Sequence, residues 1–171
     1  MVRLERLDVM ASMWVPDRPE RTRIGRLVEA AKDRGDDAAV ALLASEVAEW
    51  AGVLSIDADA VVVPVPPSPD RPNRLVPAVA AALGARWGLP VQAAIERYAI
   101  TPRLRDLEPA ERRDAAIAGD YRLVGRLDAS SVVLVDDVVL TGTTLEHVAG
   151  VLCDGGASSV AAVAVARSRR A

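Results

Sequence analysis

The chain has one cysteine, one histidine and one lysine, and each scarcity excludes a class of site. A lone Cys153 leaves no internal disulfide and no thiolate zinc cluster within the chain, and its place late in a predicted helix beside Leu152 reads as packing. His147 cannot build a histidine-rich metal site alone and takes a surface or supporting role. Lys32 stands against twenty arginines, a bias of composition that says nothing about function. No GxGxxG or GxxxxGK[ST] run occurs, so neither a dinucleotide fingerprint nor a P-loop is available. Apolar runs of membrane-spanning length, internal repeats, heptads and low-complexity tails are also missing. The net charge of −3 provides no global basic field, which argues against nucleic acid as a direct ligand. The alternating charges of Met1 to Arg6 leave no apolar core for a signal peptide, and a cytoplasmic protein is expected.

What remains is an ordinary globular composition, 51% hydrophobic and 26% charged over 171 residues, which suits one α/β domain. Ile24, Leu27, Val28 and Ala31 follow the helical period, and Arg34-Gly35 ends that helix. Asp36 or Asp37 caps a second helix striped by Val40, Leu43, Ala44 and Val47. Ala60 to Val65 reads as a buried strand that runs into the proline-rich loop Pro64 to Pro72. A helix from about Arg74 to Trp87 and a strand from Val91 to Tyr98 complete a β-loop-α-β unit. Ile100 to Tyr121, dense in charge and interrupted by Pro102 and Pro109, reads as an exposed segment able to close over a ligand. A helix from about Thr144 to Cys153 and a strand from Val160 to Val165 close the chain. Strands alternating with helices predict a parallel sheet whose ligands bind beyond the carboxyl ends of its strands.

The most specific stretch is Val132-Val133-Leu134-Val135-Asp136-Asp137-Val138-Val139-Leu140-Thr141-Gly142-Thr143-Thr144. Its apolar start predicts a strand buried on both faces, which the two carboxylates are expected to stop. A hydroxyl-rich turn then enters a helix, and Thr143 with Glu146 fits a capping box. Backbone N–H groups at such a helix start stabilise a phosphate without lysine, and paired carboxylates accept from neighbouring sugar hydroxyls. A phosphoaspartate hydrolase would need a second carboxylate at Val138, and a flavodoxin-like signalling domain would need a lysine on a later strand.

This stretch resembles the phosphoribosyl pyrophosphate (PRPP) signature of type I phosphoribosyltransferases. The resemblance implies a parallel sheet flanked by helices, with a small N-terminal helical hood at about residues 1–56 and a PRPP-binding α/β core at about 57–171. It makes Asp136 and Asp137 catalytic ribose ligands, holding Mg2+ directly or through water, and makes Thr141, Gly142, Thr143 and Thr144 the 5′-phosphate loop. Pro66, Pro67, Ser68, Arg71 and Arg74 correspond to the pyrophosphate loop, and Arg105 and Arg112 of the charged segment join the catalytic set. The order of Lys32 to Gly35, Pro64-Val65-Pro66, Leu107 to Arg112 and the signature is similar to the ComF-like branch. Arg71-Pro72-Asn73-Arg74 departs from that branch's Arg-Gly-x-Asn element.

The implied activity is transfer of the phosphoribosyl group from PRPP to a nitrogenous base with release of pyrophosphate, in a homodimer. Leu140 stands where hypoxanthine-guanine enzymes carry an aspartate, so proton exchange with a 6-oxopurine is not expected. The hood over the acceptor is expected to include Lys32 and the region of Trp14. The second reading is a PRPP- or nucleotide-binding regulator, or a competence-associated ComF-like protein, that keeps the phosphate grip without turnover.

Overall fold

The computed structural model describes residues 4–16, 20–67, 73–97 and 121–168. The charged segment with Arg105 and Arg112 lies outside the described residues, as do Ser68 and Arg71.

The chain begins with strand β1 (Arg6–Ser12) and two helices, α1 (Arg23–Asp33) and α2 (Asp37–Trp50). Then come β2 (Val61–Pro64), α3 (Leu75–Trp87), β3 (Ile95–Arg97) and β4 (Tyr121–Leu123). The signature occupies β5 (Ser131–Val139) and α4 (Thr143–Asp154), and β6 (Ser159–Arg167) ends the described chain. The sheet is parallel in the order β1-β6-β5-β2, while β3 and β4 form a separate antiparallel pair.

Local chemistry fixes the helices. Thr22 caps α1 by accepting from the Gly25 amide at 2.9 Å. Asp36 caps α2 through the amides of Ala38 and Ala39, at 3.0 and 3.1 Å. Gly25 has a further role: a Cβ built there would stand 2.2 Å from the Met13 carbonyl oxygen, so only glycine lets α1 lie this close to the end of β1.

Helices cover both faces of the sheet. Buried residues of α1, α2 and α3, including Val28, Leu43, Val47, Val79 and Leu83, pack with Val62, Val133, Val135, Val163 and Val165. On the other face Leu145, Val148 and Leu152 of α4 pack with Val61, Val63, Val132, Leu134 and Ala162, joined by Ile95 and Tyr121 of the small pair. Since α3 follows β2 on one face and α4 follows β5 on the other, the crevice beyond Pro64 and Val135 is a topological switch point, the usual ligand position of such sheets. Among the described residues no helix is long and apolar enough to cross a membrane.

Four elements differ from the expectations. β1 belongs to the main sheet, paired Leu7↔Ala162 and Val9↔Ala164, so this part of the expected hood is sheet. β5 does not stop at the carboxylates: β6 runs beside it and keeps pairing Asp136↔Ala164, Val138↔Ala166 and Val139↔Arg167. The strand expected from Val91 is a single bridge to Val62 followed by the short β3. The capping box is not formed, because Gly142, at φ 99°, takes the cap position of α4 and no side chain caps it.

Candidate functional site

β5 outruns its neighbour β2. Their pairing ends at Pro64↔Val135, with one further bond from the Val65 amide to the Val135 carbonyl at 2.9 Å, and β5 then continues with the acid pair. Amides past this point are taken by the aspartates themselves: Asp136 Oδ1 accepts from Asp137 N–H at 2.8 Å, and Asp137 Oδ1 from Val138 N–H at 2.6 Å. The apolar facing reverses across the pair. Val133, Val135 and Val138 pack toward α1–α3, while Val132, Leu134 and Val139 pack toward α4.

The gap opens as a cleft of about 390 Å³. Its walls include Val65, Pro66 and Pro67 after β2, Asp136, Asp137 and Val138 of β5, and Thr144 at the start of α4. Lys32, Asn73, Arg97 and Tyr121 also line it. The acids, the start of α4 and the proline loop thus converge in one crevice.

Asp137 is the buried charge of the site. Its side chain is 9% exposed, and its Oδ2 accepts from Lys32 Nζ at 2.7 Å and from Asn73 Nδ2 at 2.5 Å. Asn73 in turn accepts from the Leu75 amide through Oδ1 at 2.8 Å, which ties the start of α3 to the carboxylate. Asp136 is half-buried, and burial together with the neighbouring Asp137 charge pushes its carboxyl up to about 7, against the lowering effects of the Asp137 amide and Lys32. One Asp136 oxygen has no hydrogen bond to a described residue.

The turn before α4 is tight and rich in hydroxyls. Gly142 supplies the left-handed bend, and the Thr141 and Thr143 hydroxyls bond each other at 2.9 Å. Thr143 N–H reaches Thr141 Oγ1 at 3.4 Å, and the amides of Thr144 and Leu145 meet no acceptor among the described residues. Amides directed out of a helix start favour negative charge. Leu140, beside this turn, is 59% exposed.

Of the predicted pyrophosphate loop, Pro66 and Pro67 reach the cleft, whereas Arg74 does not. Its side chain is 82% exposed and pairs with Asp37 at 3.3 Å on the surface. Lys32 and Arg97 are the cations lining the cleft among the described residues. Arg97 also stacks over Tyr121, 5.4 Å from the ring centre. Asn73 and Arg97 were missed as site residues. Asn73 carries a readable signal, an Asx cap two residues before a helix, but nothing local gives its contact with Asp137. Cys153 packs against the α4-side core, and burial pushes its thiol up, in keeping with a packing role.

A second hollow of about 240 Å³ adjoins the cleft, sharing Lys32, Asp33 and Val138 with it. Met13, Trp14 and Val28 give it apolar walls, and Arg21, Glu29 and Ser168 a polar margin. Arg21 lies over the Trp14 ring at 4.5 Å and pairs with Glu29 at 2.9 Å.

No family model matches the chain, and no curated protein matches it. Solved structures do. An allosteric regulatory enzyme of purine biosynthesis superposes with a TM-score of 0.51 at 19% identity, covering 74% of this chain and 26% of the other. Glutamine PRPP amidotransferase from B. subtilis gives 0.45 at 21% identity, covering 72% and 25%. A hypoxanthine phosphoribosyltransferase from Staphylococcus aureus gives 0.43 at 15%, covering 75% and 62%. The chain spans about a quarter of the length of the first two. At these identities the likeness is one of fold: a parallel four-stranded sheet flanked by helices.

Proposed function

We propose that the chain binds PRPP in the 390 Å³ cleft and transfers its phosphoribosyl group to a nitrogenous base. The observation that carries this reading is the convergence of Asp136, Asp137 and the start of α4 in one crevice at the switch point of the sheet. The ribose hydroxyls donate to the acid pair, and the 5′-phosphate accepts from the turn Thr141 to Thr144. The pyrophosphate lies along Pro66 and Pro67 with Arg97 as a charge partner, and the acceptor base enters the hollow beside Trp14. Leu140 offers no proton exchange, which favours an acceptor other than a 6-oxopurine. In the reaction a nitrogen of the base forms a bond to the anomeric carbon, the bond to pyrophosphate oxygen breaks with the leaving group taking the electron pair, and the proton lost from the base passes to the pyrophosphate or to water. Positioning and charge neutralisation supply the catalysis.

The donor set fits a hydrated magnesium ion but not a protein cage. Asp136 has an open oxygen, whereas both Asp137 oxygens are engaged, and among the described residues no three His, Cys, Asp or Glu side chains gather around one point. Magnesium suits one or two carboxylates plus ligand phosphates, and when bound it would neutralise the pyrophosphate charge. Asp136 would hold it through water.

The surface position of Arg74 supports the second reading, a PRPP- or nucleotide-binding regulator without turnover, since it removes one cation from the pyrophosphate end. Titration calorimetry with PRPP and magnesium, followed by a pyrophosphate-release screen over purine and pyrimidine bases, decides between them. Release with one base establishes the transferase; saturable binding without release supports the regulator; no binding refutes both.

A further inference from the structure

Lys32, the single lysine, sits in the last turn of α1, a helix whose position depends on the Gly25 contact with the Met13 backbone. Its ammonium lies 2.7 Å from Asp137 Oδ2, an exposed lysine reaching in to a buried carboxylate, with side-chain exposures of 34% and 9%. The partner oxygen is shared with Asn73, and the other carboxylate oxygen is bonded to the Val138 amide. A divalent ion seeking this pair would have to displace a tethered cation from the oxygen it needs, or sit beside it at a large Coulombic cost. The replacement group would also have to satisfy Asn73.

We propose that Lys32 is the resident cation of the acid pair: a positioning residue that holds the Asp137 side chain oriented for a sugar hydroxyl and keeps divalent metal ions off the carboxylates until a ligand brings its own. The compact ammonium suits this place better than a planar guanidinium, because one point charge must serve a single buried oxygen already shared with an amide. Lys32 lines both the cleft and the hollow beside Trp14, so the cation that orders the ribose end also borders the acceptor end. The assignment rests on the proposed function only for the identity of the sugar ligand.

The test uses the full chain without ligand. Free Mn2+ is followed by electron paramagnetic resonance as wild type, Lys32→Met, Lys32→Gln and Lys32→Arg are titrated. Wild type and Lys32→Arg are expected to bind Mn2+ weakly. The two neutral variants should bind at least about tenfold more tightly, the effect of removing a unit charge beside two carboxylates. Asp136→Asn in the Lys32→Met background should abolish the gain. Two neutral variants allow the comparison to be made on whichever retains the wild-type circular dichroism spectrum. Ribose 5-phosphate, which carries no pyrophosphate, is titrated in EDTA and in Mg2+. Wild type should bind equally in both, whereas the neutral variants should bind at least about tenfold more weakly in EDTA and recover partly with Mg2+. Tight Mn2+ binding by wild type, or a folded neutral variant that binds Mn2+ no better than wild type, overturns the assignment of Lys32. Failure of ribose 5-phosphate to bind wild type under either condition overturns the ligand reading instead.

Discussion

Replacing Asp136 with asparagine should make the protein more stable at pH 8 and remove part of its dependence on pH. The carboxyl of Asp136 is raised from 3.8 to about 7 by burial and by Asp137. Between these values the folded chain keeps a proton that the unfolded chain has lost, so stability falls as pH rises from about 4 to about 7 and stays lowered above it. The gap of about three pH units sets an upper bound of about 4 kcal/mol at ~1.36 kcal/mol per unit. Half-burial along the cleft and relaxation around a charged carboxylate reduce this to on the order of 2 kcal/mol. Asparagine is neutral throughout and keeps an oxygen to accept from the Asp137 amide, now 2.8 Å away. The two proteins should therefore match at about pH 4 and below, with the variant gaining from about pH 4 to about 7 and keeping that gain at pH 8. Urea unfolding across this range measures the difference. Parallel pH profiles, or a variant less stable than wild type at pH 8, would refute the claim that ionising Asp136 costs the fold free energy. The same substitution should weaken ribose 5-phosphate binding, the mark of a residue kept for its ligand rather than for the fold.

Asp137→Asn should act in the opposite direction, costing about 1 kcal/mol at neutral pH because it removes the charge-assisted bond from the solvent-accessible Lys32; chemical denaturation of the folded variant checks this, and no loss would contradict the pairing. In that background the pH-dependent fall due to Asp136 should move to lower pH, since the Asp137 charge is one of the causes that raise it. Gly142→Ala meets open space but must adopt φ 99°, so a stability loss of about 1 to 2 kcal/mol is expected together with weaker binding of inorganic phosphate in calorimetry. Gly25→Ala collides with the Met13 carbonyl and should lower the melting temperature and loosen Lys32, seen as tighter Mn2+ binding than wild type.

The helices could be read from the chain because their determinants are local. Asp36 as a cap and Val40, Leu43, Ala44 and Val47 as a stripe need no distant partner to be recognised, and each is where periodicity predicts. The core of β5 was equally plain in its apolar run. Its length was not, because it depends on how far β6 accompanies it. β1 escaped notice for a related reason: Arg6, Asp8 and Ser12 dilute the apolar positions, and an edge strand is half-buried at best. The Thr143 and Glu146 pattern misled because a glycine with positive φ had already fixed the entry to α4. In the site, residue types and spacing indicated the acids and the turn, but orientation lay beyond them. Arg74 begins a helix with its side chain directed to Asp37 on the surface, while Lys32, more than a hundred positions from the acids, arrives beside Asp137 through the packing of α1.

The place of β1 also constrains how the molecule is made. Its sheet neighbour is β6, and Glu5 shares a hydrogen bond with Ser159, 154 positions further along the chain. During synthesis from the ribosome, Arg6 to Ser12 emerge well before Ser159 to Arg167 and must wait for that pairing strand. The α1–α2 pair can form early, with Thr22 N–H bonded to the Met13 carbonyl, but the Met13 amide reaches its acceptor, the Arg167 carbonyl, only once β6 is in place. Vectorial folding of this sheet therefore awaits the insertion of β6 between β1 and β5, a step dominated by long-range contacts and expected to be slow. A nascent chain arrested before Ser159 would expose an unpaired face of β5 and an orphaned first strand, the form most prone to be captured by a chaperone or by another copy of itself.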